Sequence, residues 1–305
     1  MKLAMVFPGQ GSQAVGMLKG YAGLPAVEEV VTEAKEVLGA DFVRLLEEGP
    51  AEKLSLTVNT QPAMVTAGTA AFRAWRALGG PMPAIVAGHS LGEYTALVAA
   101  GALPFKDCLP LVRFRAQSMQ EAVPEGQGAM AAILMLDDDA VRAACAQAGG
   151  TVQAVNFNAP GQVVIAGEKA AVERAMEACK TKGAKRVMLL PVSAPFHSTL
   201  MKPAAEKLAT YLAKITLAGP KIPVINNVDV AVENSPERIK QALVRQAASP
   251  VRWVETIRHM IGAGVTHIVE CGPGKALAGM TKRIAPEVKC FAAADRASLE
   301  EALKC

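Results

Sequence analysis

The stretch Ala84 to Ala100, AIVAGHSLGEYTALVAA, constrains this chain more than any other. A short apolar run ends in Gly88 and a helix-forming segment begins after Gly92, so Gly88-His89-Ser90-Leu91-Gly92 falls at a strand-to-helix junction. Gly-x-Ser-x-Gly at such a junction reads as a nucleophile elbow. The serine occupies a tight, strained turn, and side chains at the two flanking glycines would collide with the adjoining strand and helix. Ser90 is thereby presented at the carboxyl end of a strand. The backbone N–H of Leu91 and the positive end of the following helix face the same space, where a developing oxyanion is stabilised.

The rest of the sequence narrows the setting. A chain of 305 residues that is 51% hydrophobic and 20% charged has the composition of a soluble globular protein, with one large domain or two unequal ones. The amino-terminal MKLAMVFPGQG has an apolar run too short for a signal sequence, and no stretch approaches the ~18 apolar residues of a membrane span. A cytoplasmic location with no membrane partner is expected. Cysteines 108, 145, 179, 271, 290 and 305 fall at wide, irregular spacings without a C-x-x-C pair, which indicates neither a zinc site nor a disulfide framework. The net charge of +4 is dispersed and aromatics are only 4%, so stacking platforms for nucleic acid are few and no nucleic-acid partner is expected. A basic face for an acidic partner stays open.

Lys2 to Phe7 reads as a strand running into Pro8-Gly9-Gln10-Gly11-Ser12-Gln13, a loop that lets backbone approach a ligand closely. Gly9 to Ala14 also matches the G-x-G-x-x-A dinucleotide pattern, but Glu28 and Glu29 lie inside a helical pattern where that reading requires an acid ending a second strand. Helices are expected over AVEEVVTEAKEVLG and DFVRLLEEG, then from Thr60-Gln61-Pro62 to about Leu78, and from about Phe105 to Val123 beyond the elbow. From Gly128 the rhythm becomes β-α-β-β-α-β, ending in the strand AKRVMLLPVS over 184–193, which is the ferredoxin-like order. The expected organisation is therefore an α/β core over 1–126 and 198–305, interrupted by a ferredoxin-like subdomain over 127–197. After it come a helix around 200–214, a short strand at Pro223 to Asn226, a helix opened by Ser235-Pro236-Glu237, the helix RWVETIRHMIGAG, the strand THIVE and the helix KALAGMTKRIA. A strand near Cys290 to Ala293 and the capping-box sequence Ser298-Leu299-Glu300-Glu301 complete the chain.

A serine hydroxyl needs a neighbouring base, and the chain has four histidines. His89 adjoins Ser90, so in a tight elbow its side chain is directed away. His259 lies in a helix and His267 in a short apolar strand, where structural roles are expected. His197, in Ala194-Pro195-Phe196-His197-Ser198, follows a strand end, the place where α/β folds set catalytic groups. A triad would also need an acid between Ser90 and His197, but the Asp137 to Asp139 run and Glu168 look like helix-start or turn residues, so a backbone or amide carbonyl is the expected orienter. Arg113 and Arg115 lie on different faces of an amphipathic helix. Either one, turned into the site, would offer a guanidinium fork to a carboxylate, and the sequence does not choose between them.

In order along the chain stand FPGQGSQ (7–13), Thr60-Gln61-Pro62, GHSLGE (88–93), RFRAQSMQ (113–120), NAPGQ (158–162), APFHS (194–198), LVRQAASPVRW (243–253) and ECGPG (270–274). By these motifs the chain closely resembles the malonyl-CoA:acyl carrier protein transacylases and the related acyltransferase domains of polyketide synthases, over essentially its whole length. The resemblance implies an α/β-hydrolase-like core with a ferredoxin-like insertion. It implies that Ser90 carries the acyl group and His197 is the base, with Arg115 rather than Arg113 pairing with the malonyl carboxylate. The backbone N–H groups of Gln10 and Leu91 would form the oxyanion hole, Gln246 would orient His197 through its main-chain carbonyl, and Asn158 and Phe196 would contact substrate. Phe196 resembles the Ala-Phe-His form of malonyl-selective polyketide acyltransferases, in which the ring limits room for an α-methyl group; Ala194 does not complete the longer form of that motif.

The implied reaction is ping-pong transfer from malonyl-CoA to the phosphopantetheine thiol of an acyl carrier protein, in fatty-acid biosynthesis or as a loader for polyketide synthesis. No metal or cofactor is implied, malonyl-CoA being a substrate, and a monomer is expected. A serine esterase or thioesterase, a nicotinamide-binding oxidoreductase and a non-catalytic carrier-binding module are the rival readings of the same residues.

Overall fold

The computed structural model describes residues 1–192 and 194–304; Ser193, the last residue of the strand expected over 184–193, and Cys305 lie outside the described residues. The chain opens with β1 (Leu3–Phe7), followed by α1 (Pro25–Leu38), α2 (Ala40–Glu48), α3 (Ala51–Leu54) and α4 (Thr57–Ala77). The elbow joins β2 (Ile85–Gly88) to α5 (Gly92–Ala99), and α6 (Phe105–Glu121) leads out of the core. Then come β3 (Gly128–Leu134), α7 (Asp138–Ala148), β4 (Val152–Ala159), β5 (Gln162–Glu168), α8 (Lys169–Thr181) and β6 (Arg186–Leu189). The chain re-enters the core through α9 (Lys202–Leu212), β7 (Val224–Ile225), α10 (Pro236–Ala247), α11 (Trp253–Gly262), β8 (His267–Cys271), α12 (Ala276–Ile284), β9 (Lys289–Ala293) and α13 (Arg296–Leu303).

Two sheets result. The core sheet has the order β7-β2-β1-β8-β9, and each of its pairings is parallel. Every residue of β1 is buried, as a strand covered on both faces requires, and its alternate side chains enter two different apolar clusters: Met5 and Phe7 pack with α4 and α5, Ala4 and Val6 with Trp253 and Ile257 of α11. Burial of a side chain the size of Phe7 contributes about 1.5–3 kcal/mol. The second sheet, β4-β5-β3-β6, is antiparallel and carries α7 and α8 on one face around a separate core that includes Ile133, Val141, Ile165 and Val172. Its order is that of a ferredoxin-like unit. The fold class is thus α/β, an α/β-hydrolase-like core carrying a small ferredoxin-like subdomain.

Helix ends follow local chemistry. Ser235 accepts from the Arg238 N–H with Pro236 in the first turn of α10, and Asp137 accepts from the Asp139 N–H at the start of α7. Two expected starts move. Helix α4 begins at Thr57, three residues before Thr60, because the Leu56 carbonyl already accepts from the Asn59 and Thr60 N–H groups, and Pro62 is accommodated within the helix. At α13 the cap is Asp295 rather than Ser298, which sits at N3 and returns its hydroxyl to the Asp295 N–H.

Candidate active site

The elbow is built by exclusion. A Cβ on Gly88 would lie 1.8 Å from the Gly92 carbonyl carbon, and one on Gly92 would lie 2.0 Å from the Phe7 carbonyl oxygen, so neither position tolerates a side chain. The close packing forces Ser90 into left-handed backbone at φ +51°. Gly9 belongs to the same construction. Its Cβ would meet the His89 carbonyl oxygen at 2.6 Å, so the loop after β1 lies directly against the elbow.

Ser90 Oγ lies 2.6 Å from His197 Nε2, and His197 Nδ1 lies 2.9 Å from the Gln246 carbonyl oxygen. A carbonyl can only accept, so the proton sits on Nδ1 and the bare Nε2 accepts from the Ser90 hydroxyl. His197 is itself in left-handed backbone at φ +65° and is 3% exposed. Burial, and next the Arg115 guanidinium, push its pKa down to about 3. The imidazole is therefore neutral across the range in which an ordinary histidine takes a proton.

Arg115, on α6, is 2% exposed and turned to the same point. Its Nη1 donates to Gln61 Oε1 at 2.9 Å, and its Nη2 donates to Gln246 Oε1 at 3.0 Å and to Ser90 Oγ at 3.3 Å. Arg113, two residues earlier, is half-buried with its guanidinium over the Phe42 ring, on the other side of the helix. A cavity of about 130 Å³ lies over Ser90, its walls including Gln10, Leu91, Arg115, Met119, Phe196 and His197. It adjoins a cleft of about 620 Å³ between the core and the ferredoxin-like sheet, lined by the 8–13 loop on one side and by Asn156, Val164 and Leu190 on the other.

The remaining sequence-derived residues fall as follows. Gln10 lines both spaces and donates its Nε2 to Thr57 Oγ1 at 3.3 Å. Asn158 lines the larger cleft but directs Oδ1 to His89 Nε2 at 2.8 Å, so its side chain holds His89 rather than reaching Ser90. His89 rests edge-on against Trp253. His259 is exposed on α11, and His267 Nδ1 lies 2.9 Å from Thr266 Oγ1. Four histidines thus have four different settings, and one meets the serine.

Three functional neighbours escape sequence reasoning. Gln61 reads as part of a helix start yet accepts from Arg115. Asn227 accepts from the Ser90 N–H through Oδ1 at 2.7 Å and donates Nδ2 to the Gly88 carbonyl at 2.8 Å, clamping the elbow from outside. Glu93 is 2% exposed in the first turn of α5, and burial raises its carboxyl to about 7 against the opposing pull of Gln246, Asn227 and Arg115. Gln61 and Glu93 stand inside quoted motifs, Thr60-Gln61-Pro62 and GHSLGE, that named no role for them, and for Asn227 the sequence offers only the Asn226-Asn227 doublet at the end of an expected strand.

Residues 4–295 match the family model described as "Acyl transferase domain". The chain is 54% identical over 306 residues to the malonyl CoA-acyl carrier protein transacylase of Escherichia coli strain K12, covering 99% of each. This chain belongs to the acyl transferase family, among the malonyl CoA-acyl carrier protein transacylases. The transacylase of Bacillus subtilis is 46% identical, over 99% of this chain and 96% of that one. Among solved structures, the acyl-carrier-protein S-malonyltransferase of Burkholderia pseudomallei superposes with a TM-score of 0.99 at 62% identity, each chain fully covered. A malonyl-transacylase solved in complex with a type II PKS acyl-carrier protein superposes at 0.98 with 52% identity, covering 100% of this chain and 99% of that one. Transacylase chains of this family thus share the whole length of the fold, elbow and insertion included.

Proposed function

We propose that this chain moves a malonyl group from malonyl-CoA to the phosphopantetheine thiol of an acyl carrier protein through a malonyl ester on Ser90, in fatty-acid biosynthesis. The observation that carries the reading is the buried Arg115 guanidinium 3.3 Å from the Ser90 hydroxyl, a cation set where an acyl group with a distal carboxylate would present it. Ser90 Oγ attacks the thioester carbonyl as its proton passes to His197 Nε2. The carbon–sulfur bond breaks, and the coenzyme A thiolate leaves with the proton that His197 returns. In the second half the carrier thiol gives its proton to His197 and attacks the ester, and Ser90 regains the proton on release. The backbone N–H groups of Gln10 and Leu91 are assigned to the oxyanion, Gln246 to orienting His197 through its carbonyl, and Arg115 to the carboxylate. Phe196, in the wall of the small cavity over Ser90, is assigned to limiting room for an α-methyl group. The larger cleft between the core and the insertion is assigned to the pantetheine arm, which on binding there would displace water from the ester.

Intact-mass spectrometry after mixing with malonyl-CoA tests this directly. A single adduct of malonyl mass, absent in Ser90→Ala and discharged by phosphopantetheinylated carrier protein, is expected. His197→Ala should acylate about a hundredfold or more slowly, whereas His259→Ala should match the wild type. An adduct that persists in Ser90→Ala overturns the assignment, and rapid hydrolysis of simple esters with no discharge to carrier would make the chain an esterase. The likeness to a transacylase bound to a polyketide carrier makes carriers of both pathways the acceptors to compare.

A further inference from the structure

The reaction described above uses Ser90, His197 and Arg115, but a fourth ionisable group is buried among their supports and has no part in it. Glu93 Oε2 accepts from Gln246 Nε2 at 2.9 Å and from the Asn227 backbone N–H at 2.9 Å. Those two residues hold every part of the site. Gln246 sends its second amide hydrogen to the Ser90 carbonyl at 3.0 Å, accepts from Arg115 on Oε1, and accepts from His197 on its backbone oxygen. Asn227 brackets the elbow at the Ser90 N–H and the Gly88 carbonyl.

We propose that Glu93 is a positioning residue, whose buried carboxylate locks the Gln246 side chain and the Asn227 backbone together and so fixes the base, the nucleophile turn and the arginine relative to one another. The proposal rests on the Ser90 and His197 reading above. Gln246 lies near the end of α10, and apart from Glu93 its Nε2 donates only to the Ser90 carbonyl among the described residues, while Oε1 is taken by Arg115. An oxygen acceptor suits the position because Oε2 alone takes both donors, one on each lone pair. Glu93 touches neither substrate nor the reacting atoms, so its effect passes through Gln246 and Asn227.

The test separates positioning from folding. Wild type, Glu93→Gln, Glu93→Ala and Ser90→Ala are treated with methanesulfonyl fluoride, a small neutral probe that sulfonylates an activated serine with loss of fluoride, and labelling is followed by intact mass per folded molecule. Malonyl-CoA acylation is measured alongside in single turnover, and folded fraction by thermal melting. A displacement of ~1 Å at a reacting group costs up to about a hundredfold, so Glu93→Ala should label at least about tenfold more slowly. Glu93→Gln, whose one amide oxygen can still accept from both Gln246 and Asn227, should label close to the wild type. Acylation at saturating malonyl-CoA should drop in the same order, with KM for malonyl-CoA raised because Arg115 loses its fixed partner. Wild-type labelling in folded Glu93→Ala, whatever its melting temperature, overturns the proposal and leaves Glu93 a structural acid. If Glu93→Ala does not fold, Glu93→Leu, of similar size and without an acceptor, decides by the same criterion. A wild type that labels no faster than Ser90→Ala refutes the nucleophile–base reading itself, a result distinct from the failure of Glu93.

Discussion

Arg115 is held by amide oxygens, those of Gln61 and Gln246, and its side chain is buried beside the nucleophile. The two amides accept from Nη1 and Nη2 without neutralising the charge, and the buried Nε finds no partner among the described residues, which leaves the cation able to take a carboxylate. Truncating a buried, charge-assisted partner of this kind costs roughly 2–5 kcal/mol. Acetyl-CoA lacks the carboxylate and would leave the cation unpaired in a dry site, so the wild type should reject it. Arg115→Ala is therefore expected to lose malonyl acylation by a large factor while gaining relative activity toward acetyl-CoA, because the repulsive element goes with the attractive one. Arg113, over the Phe42 ring, should do neither when replaced by alanine. The ratio of malonyl to acetyl acylation rates in the two variants measures this, and an unchanged ratio in Arg115→Ala would reduce that arginine to a structural charge. The sequence left the two arginines level, and what separates them is rotation about α6. Two residues apart on a helix is about 200°, so one faces the site when the other cannot.

At the scale of elements, α12 is started by a residue of the neighbouring strand. Glu270 on β8 is fully buried, and its Oε2 accepts from the Ala278 N–H at 2.8 Å while Oε1 finds no partner among the described residues. Burial dominates and raises its carboxyl from 4.5 to about 7, against the helix N–H groups that lower it. The folded state therefore holds this proton more tightly than the unfolded chain. The associated stability is fully present below about pH 4.5 and is lost as pH rises through about 7. Glu270→Gln does not titrate, so its stability relative to wild type should rise from pH 4.5 to about 7 by roughly 3 kcal/mol and then level off. Urea unfolding of both proteins across that range measures the difference, and a difference that is flat with pH would mean the carboxyl is already ionised in the fold. Elements of this kind were legible where the signal is local. Pro236 after Ser235 started α10 as expected, and short apolar runs parted by Ala159-Pro160-Gly161 marked β4 and β5. Starts failed where a competing local bond was available, as at Thr60, whose N–H was already taken by Leu56, and at Ser298, where Asp295 offered the better acceptor.

The whole molecule sets a cleft between two sheets that come from different stretches of chain, and this is where reading residues in order reaches its end. The ferredoxin-like order is compact in sequence, its apolar runs and helical segments following one another within about seventy residues, whereas the order β7-β2-β1-β8-β9 joins strands separated by most of the chain. The same holds in the site. Ser90, His197 and Arg115 had roles that their motifs named, whereas Glu93 and Gln61 stood inside motifs without a role and Asn227 outside any, and all three acquire one only through contacts 54 to 153 positions away. The cleft mouth also makes a prediction at this scale. Lys275 is exposed immediately before α12, whose Ala276, Leu277 and Met280 line the cleft, and Arg283 on the same helix donates to Gln162 and to the Pro160 carbonyl across the opening. Arg186 stands exposed on β6, two strands from Gln162 through Leu134. An acidic carrier arriving at such a rim is steered by long-range attraction that speeds encounter and is screened over about 8–10 Å at moderate salt. Rising ionic strength should therefore raise KM for the carrier while leaving the rate at saturating carrier nearly unchanged. Transfer to free pantetheine, which is neutral, should not respond. Lys275→Glu and Arg186→Glu should weaken carrier use and reduce its salt dependence without slowing acylation of Ser90 by malonyl-CoA at saturation. A carrier KM that does not move between low and moderate salt would show that docking rests on shape and apolar contact at this mouth, not on charge.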